Sequence, residues 1–216
     1  ASDVYKRQQE HSYLEPQGMI ANFTEDGTIT IYGSMQCPFY VNDAIFTILN
    51  IPMSKIRVIQ TTTGGGFGGK EDVPSIIAGI AGLLSYHTRK PVKFVLDRET
   101  DIEIMSKRHP AIIHSRYGFK KSGKLVAVNI KIYYDAGAYS TLSPIVLWRG
   151  INHCAGPYQC ENIKVDAYAV CTNKVPCGAF RGFGEPQVLF AAESQMDEAA
   201  RKLRIDPITI RELNIL

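Results

Sequence analysis

The chain has 216 residues, of which 45% are hydrophobic and 21% charged, and its formal net charge is +3. That is ample apolar material for a core and too much for a disordered chain. No apolar run reaches the roughly 18–20 residues that cross a bilayer, and no dense Lys/Arg stripe marks a nucleic-acid face, which sets aside both a membrane span and nucleic-acid binding.

In chain order, residues 1–10 read as a tail, either disordered or not native to the gene, because ASDVYKRQ is polar and patternless. Thr28 to Gly33 alternates and is β-branched, as a strand is. Pro38 suits a first helical turn, and Ala44 to Asn50 carries Ile45, Ile48 and Leu49. Lys55 to Thr63 reads as a second strand that runs into the glycine-rich Gly64 to Gly69, followed by a helix from about Glu71 to His87. That helix is apolar almost all round, which predicts burial on every side. Pro91 to Asp97 is a further strand, and Ala111 to Phe119 with Lys124 to Tyr134 forms a hairpin about Lys121-Ser122-Gly123. Ile163 to Cys171 is another strand, followed by a second glycine loop, Arg181 to Gly184, and a helix from about Glu185 to Leu203. A last helix starts at Asp206-Pro207-Ile208 and runs uncapped to Leu216, so the sequence reads as a fragment truncated at both ends. Strands and helices are interspersed around at least one antiparallel hairpin, which predicts an α+β fold of mixed sheets with packed helices.

The five cysteines (Cys37, Cys154, Cys160, Cys171, Cys177) form no C-x-x-C pair and are odd in number. Buried free thiols in a reducing, cytoplasmic setting fit better than a disulfide framework or zinc knuckle. The histidines lack metal-ligand spacing and read as scattered core or surface residues.

The strongest signal is an internal echo: Gly66-Phe67-Gly68-Gly69-Lys70-Glu71 and Gly182-Phe183-Gly184-Glu185 each lead toward a helix. Glycine permits close approach and positive φ, and a helix N-terminus attracts anions, so two such loops could hold one anionic ligand. The bland alternative is that Glu71 and Glu185 satisfy the helix ends and the glycines only turn the chain. A nucleotide-binding module using Gly64 to Gly69 is a reading from another class. Gly64, Gly66 and Gly69 fit G-x-G-x-x-G, but Asp97 lies far beyond the usual ~20-residue offset of the ribose acid. Gly64 to Lys70 fits G-x-x-x-x-G-K, yet Glu71 follows where a P-loop needs a hydroxyl.

The runs GGGFGGKE (64–71) and AFRGFGEPQ (179–187) resemble the molybdopterin-binding large subunit of xanthine dehydrogenases and related molybdenum hydroxylases. His11-Ser12-Tyr13-Leu14-Glu15, Gln36, Arg108-His109-Pro110 and Arg149 ahead of Pro157-Tyr158 match that family in order, so the resemblance covers nearly everything after residue 10. It implies that residues 11–216 are a partial molybdopterin-binding catalytic domain. Molybdopterin, with or without an appended cytosine dinucleotide, would be held by Gln36, Gly66, Phe67, Gly68, Arg181 and Gly182. Gln36 would donate to a ligand of molybdenum, with backbone contacts from Phe67 and Arg181. Glu71 and Arg149 would act as catalytic and substrate-binding groups, and Phe183 would stack on a flat heterocycle.

The implied reaction is hydroxylation of a purine-like heterocycle of the xanthine or hypoxanthine type, with oxygen from water. A nicotinate- or aldehyde-oxidising relative is the alternative. Partners implied by the resemblance are the remaining molybdopterin-binding segment and iron–sulfur (2Fe-2S) and flavin (FAD) modules. The family's general-base glutamate belongs to a later segment, so this piece alone is expected to be inactive. Two departures stand out: Glu185 where purine hydroxylases commonly have glycine, and Trp148 beside the substrate arginine.

Overall fold

The computed structural model describes residues 2–216, and Ala1 lies outside them. In chain order the elements are β1 (Ser2–Lys6), β2 (Gly18–Phe23), β3 (Ile29–Gly33), α1 (Pro38–Leu49), β4 (Ile56–Gln60), α2 (Pro74–Thr88), β5 (Val92–Val95), α3 (Arg98–Ile104), β6 (Ala111–Phe119), β7 (Leu125–Gly137), α4 (Ser143–His153), β8 (Ile163–Cys171), α5 (Glu185–Leu203) and α6 (Pro207–Glu212). They divide into two compact units: one of Glu10–Arg108 with Gly178–Arg181, the other of residues 2–9, His109–Cys177 and Gly182–Leu216. Each carries a four-stranded mixed sheet, so the α+β expectation holds.

In the first unit the sheet order is β4-β3-β2-β5, with β3 and β4 parallel and the other pairs antiparallel. Met19, Ala21, Ile29 and Ile31 are buried at alternate positions and form the core with Ile45 of α1 and Ile77 and Ala81 of α2. Gly82 allows the helix to lie close to α1, because a Cβ there would sit 2.8 Å from Ile45 Cδ1. Helix α2 departs from the expectation twice. It starts at Pro74 rather than Glu71, with proline in its first turn. It is also buried on one side only: Ile76, Ile80, Leu83 and Leu84 are exposed. The 3.6-residue period puts these four on one stripe, opposite the stripe that meets the core. Strand β2 and helix α3 were not anticipated from sequence; Asp97 caps α3, its side chain accepting from Thr100 N at 2.8 Å.

In the second unit the order is β1-β6-β7-β8. The β6–β7 hairpin turns at Gly123 (φ +89°), whose N–H donates to Lys120 O. Val128, Ile130, Ile132 and Tyr134 are buried at alternate positions, and Val188, Ala192 and Met196 of α5 are buried at the spacing of one helical stripe. The patternless reading of the first residues is corrected: Ser2–Lys6 is a strand paired antiparallel with β6, its order coming from a long-range ladder rather than local pattern. Helix α4 went unanticipated. Helix α6 ends at Glu212 rather than Leu216, and Asn214 is buried just beyond it, donating to Gly123 O and Ile210 O at 2.8 Å. All five cysteines are free, but only Cys154 and Cys177 are buried, since β8 leaves Cys171 on its exposed side.

Candidate functional site

The first unit brings the first glycine loop against the segment that opens the second. Phe67 O accepts from Arg181 N–H at 2.8 Å, joining stretches more than a hundred residues apart in sequence. Phe67 has φ +54° and Gly68 φ +100°. A bulky residue in the left-handed region costs about 1–3 kcal/mol and persists only where its surroundings impose it. The Arg181–Phe67 and Gly69–Gly66 main-chain hydrogen bonds hold the turn, and residue 68 has to be glycine for it to close, because a Cβ there would lie 2.7 Å from the Ala179 carbonyl.

Polar side chains pin the loop in place. Gln36 Oε1 accepts from Gly68 N at 3.0 Å and Lys70 N at 3.3 Å, and Gln17 Nε2 donates to Gly69 O at 2.7 Å. Lys70 is fully buried; its ammonium lies 2.7 Å from Glu15 Oε2, donates to Ser34 Oγ at 3.1 Å and sits over the Tyr13 ring. Glu15 Oε2 also accepts from Gly64 N at 2.8 Å. At the facing 179–181 segment, buried His11 bonds Ala179 O through Nε2 at 2.7 Å and stacks on Phe180. A carbonyl only accepts, so Nε2 carries the proton, and burial lowers the imidazole pKa and keeps the ring neutral. Arg108 lies 3.8 Å over the Phe180 ring and donates to Arg181 O at 2.9 Å.

These contacts decide what remains available to a ligand. The side chain of Lys70 is committed to Glu15, which removes the phosphate-binding lysine that a P-loop requires. The N–H groups of Gly68, Gly69, Lys70 and Glu71 are also taken within the loop, so the expected free helix N-terminus is absent here; α2 begins later. Arg181 has its N–H on Phe67 and its carbonyl on Arg108. Among the described residues, the N–H groups of Gly66 and Phe67 and the exposed Gln36 Nε2 have no partner. A donor-only rim of this kind suits an anionic or oxygen-rich group, and its donor set fits molybdopterin with an oxo-bearing metal. Among the described residues no cluster of His, Cys, Asp or Glu could hold a bare metal ion.

Glu71 is half-buried and, among the described residues, has no cation beside it; burial first, and then Asp72, raise its pKa. A carboxyl whose folded-state pKa is raised costs stability as it ionises, so stability falls as pH rises through its titration range. Glu71→Gln should therefore raise the melting temperature of the chain at neutral pH, with the gain closing below the carboxylate range. Glu15 behaves oppositely. Its burial alone would raise the pKa, but hydrogen bonds from Lys70, Ser34 and Gly64 outweigh that and lower it. Its contribution is present above the unfolded-state value and is lost as pH falls through the folded one.

The second unit holds the other half of the echo. Phe183 (φ +49°) and Gly184 (φ +98°) repeat the conformations of Phe67 and Gly68. Gly184 is the N-cap of α5, and its carbonyl accepts from Tyr134 Oη at 2.6 Å. Glu185 begins the helix, as a first-turn carboxylate favoured by the dipole. Arg149 of α4 donates to Glu185 Oε1 at 3.2 Å and lies 5.8 Å from the Phe183 ring centroid. Trp148 beside it is exposed. A concavity of about 760 Å³ in this unit is lined by Asp3, His114, Arg116, Asn129, Lys131 and Lys164 among others, and contains none of the sequence-derived site residues.

Sequence reasoning identified the two loops and Gln36 but missed the brace: Lys70, Gln17, His11 and Arg108. For His11 and Arg108 the signals were present in the H-x-Y-L-E and R-H-P segments, though nothing local tells that they reach these loops.

Residues 1–215 match the model of the molybdopterin cofactor-binding domain. The chain is 45% identical over 204 residues to the nicotinate dehydrogenase large molybdopterin subunit of Eubacterium barkeri, covering 94% of this chain and 48% of that protein. It is 35% identical over 206 residues to the xanthine dehydrogenase of Dictyostelium discoideum, covering 95% and 15% respectively. The aldehyde oxidoreductase structure from Desulfovibrio gigas superposes with a TM-score of 0.91 at 27% identity, over all of this chain and 24% of that one. The chain thus spans half or less of the length of these relatives. With the matched domain running almost end to end, the chain belongs to the molybdopterin cofactor-binding domain family.

Proposed function

We propose that the chain is part of a molybdenum-dependent hydroxylase acting on a purine-like N-heterocycle. The observation that carries this reading is Glu71: a half-buried carboxyl beside the glycine loop, held toward its protonated form and without a cation partner. Such a group donates a hydrogen bond to a ring nitrogen when protonated and accepts one from ring N–H when ionised. Gln36 Nε2 and the N–H groups of Gly66 and Phe67 would hold the cofactor, with Gly68 keeping the loop in shape and Gly182 supplying a further main-chain contact. When bound, molybdopterin would supply the redox centre for inserting a water-derived oxygen at a C–H beside a ring nitrogen. Phe183 would stack on the ring, and the Arg149 guanidinium would stabilise negative charge that develops on it. Iron–sulfur and flavin modules would carry the electrons away. The free thiols suit a reducing compartment such as the cytoplasm, and no helix among the described residues is long and apolar enough to cross a membrane.

A second reading, a nicotinate hydroxylase, is favoured by the 45% identity to the Eubacterium barkeri protein and by a cation placed over an aromatic ring. In the complete enzyme, Glu71→Ala and Arg149→Ala should each lower kcat/KM on hypoxanthine about a hundredfold, the scale of removing one preorganised transition-state partner, with molybdenum content unchanged. Normal hypoxanthine kinetics in both variants would remove the purine assignment. A matching loss on nicotinate alone would select the second reading.

A further inference from the structure

The second glycine loop carries a charge that its turn does not need. Gly184 already caps α5 and sets the bend, so Glu185 is free of that task. Its carboxylate instead pairs with Arg149 of α4 at 3.2 Å, and His153 Nε2, one helical turn further on, lies 3.6 Å from the same oxygen. Arg149 and His153 stand four residues apart on one helical face, and His153 Nδ1 lies 2.8 Å from the Arg149 carbonyl. That carbonyl can only accept, so Nδ1 carries the proton. Three side chains thus converge beside Phe183, and the Glu185 side chain is the least exposed of them, at 25% against 47% for Arg149 and 45% for His153.

We infer that Glu185 is a specificity-determining residue: by pairing with Arg149 beside Phe183 it competes with a ligand carboxylate for the guanidinium, while leaving that group positive toward charge that develops during reaction, and so turns the site from one that attracts a carboxylate-bearing ring into one that favours a neutral ring. Arg149 alone would be a forked anion receptor next to an aromatic face, suited to a pyridine carboxylate. With Glu185 in place, an incoming carboxylate meets a like charge and must displace an existing partner, while a neutral heterocycle stacks on Phe183 without doing either. The inference rests on the proposed role of Arg149 at the substrate.

The test uses the complete enzyme, with kcat/KM measured on hypoxanthine and on nicotinate for wild type, Glu185→Gln, Glu185→Asp, Arg149→Ala and the Arg149→Ala/Glu185→Gln double variant. Glu185→Gln should raise the nicotinate-to-hypoxanthine ratio at least about tenfold, mainly through KM for nicotinate, the scale of one charge contact. Glu185→Asp should fall between it and wild type, and the shift should vanish in the Arg149→Ala background. Molybdenum content and melting temperature should stay unchanged, since an exposed ion pair contributes little to stability. A ratio that moves less than about twofold, including nicotinate turnover undetectable in both enzymes, overturns the inference, as does a shift of equal size without Arg149. If Arg149→Ala alone leaves both substrates unaffected, the proposed role of Arg149 at the substrate fails and the inference with it, a result distinct from either.

Discussion

Gly68→Ala should destabilise the first unit by at least about 3 kcal/mol, read as a lower urea midpoint. Two costs combine. At φ +100° an L-residue is strained wherever it is placed. The new Cβ would also stand 2.7 Å from the Ala179 carbonyl carbon and oxygen and 2.8 Å from Phe180 N, all of them backbone atoms that have no rotamer in which to escape. Relief requires the 64–71 and 179–181 segments to part, which breaks the Arg181–Phe67 hydrogen bond and the register that surrounds it. In the complete enzyme the same substitution should lower molybdenum content, measured per protein by metal analysis. Gly27→Ala supplies the control: its φ is +80°, but nothing lies within 4 Å of a Cβ there, so it isolates the backbone strain from the clash. Equal losses at the two positions would refute the close-approach argument.

Glu15→Ala should cost about 3 kcal/mol, because it strands a fully buried ammonium. The 41% exposure of the Glu15 side chain places the effect at the lower end of the range for broken buried pairs, since water can reach the ammonium from that side. Removing the lysine as well should recover much of the loss, so the Glu15→Ala/Lys70→Met double variant is expected to be more stable than Glu15→Ala. Urea denaturation of the four species in the cycle checks this. Additive losses would mean that the two residues are not coupled and that the glycine loop is held by the Gln36 and Gln17 contacts alone.

Much of the site was legible because it is written in residue types that have few uses. A glycine with a Cβ clash or positive φ leaves an unambiguous mark, and the GGGFGGKE and FRGFGE runs each place such glycines on both sides of a phenylalanine. The brace was not legible. A lysine following two glycines looks like a phosphate ligand, and only the carboxylate at Glu15, reached through folding, turns it into a buried clamp. The mistaken helix start at Glu71 has a similar origin: local propensity marks where a helix can begin, whereas the Gln36 and Gly66 contacts hold residues 67–70 in turns and postpone it to Pro74.

Periodicity and turn chemistry alone determined the hairpin from Ala111 to Tyr134, the α5 stripe and the mixed α+β class, because two-residue and 3.6-residue periods report which face meets a core. Tertiary structure decided the rest. Ser2–Lys6 became a strand by pairing with β6, one side of α2 stayed exposed because its period splits the apolar residues into two opposite stripes, and Glu185 took Arg149 as its partner. Each of these depends on which distant group arrives at a given distance, and the free energy of a ladder, a buried face or an ion pair is set by that arrival rather than by the residue itself.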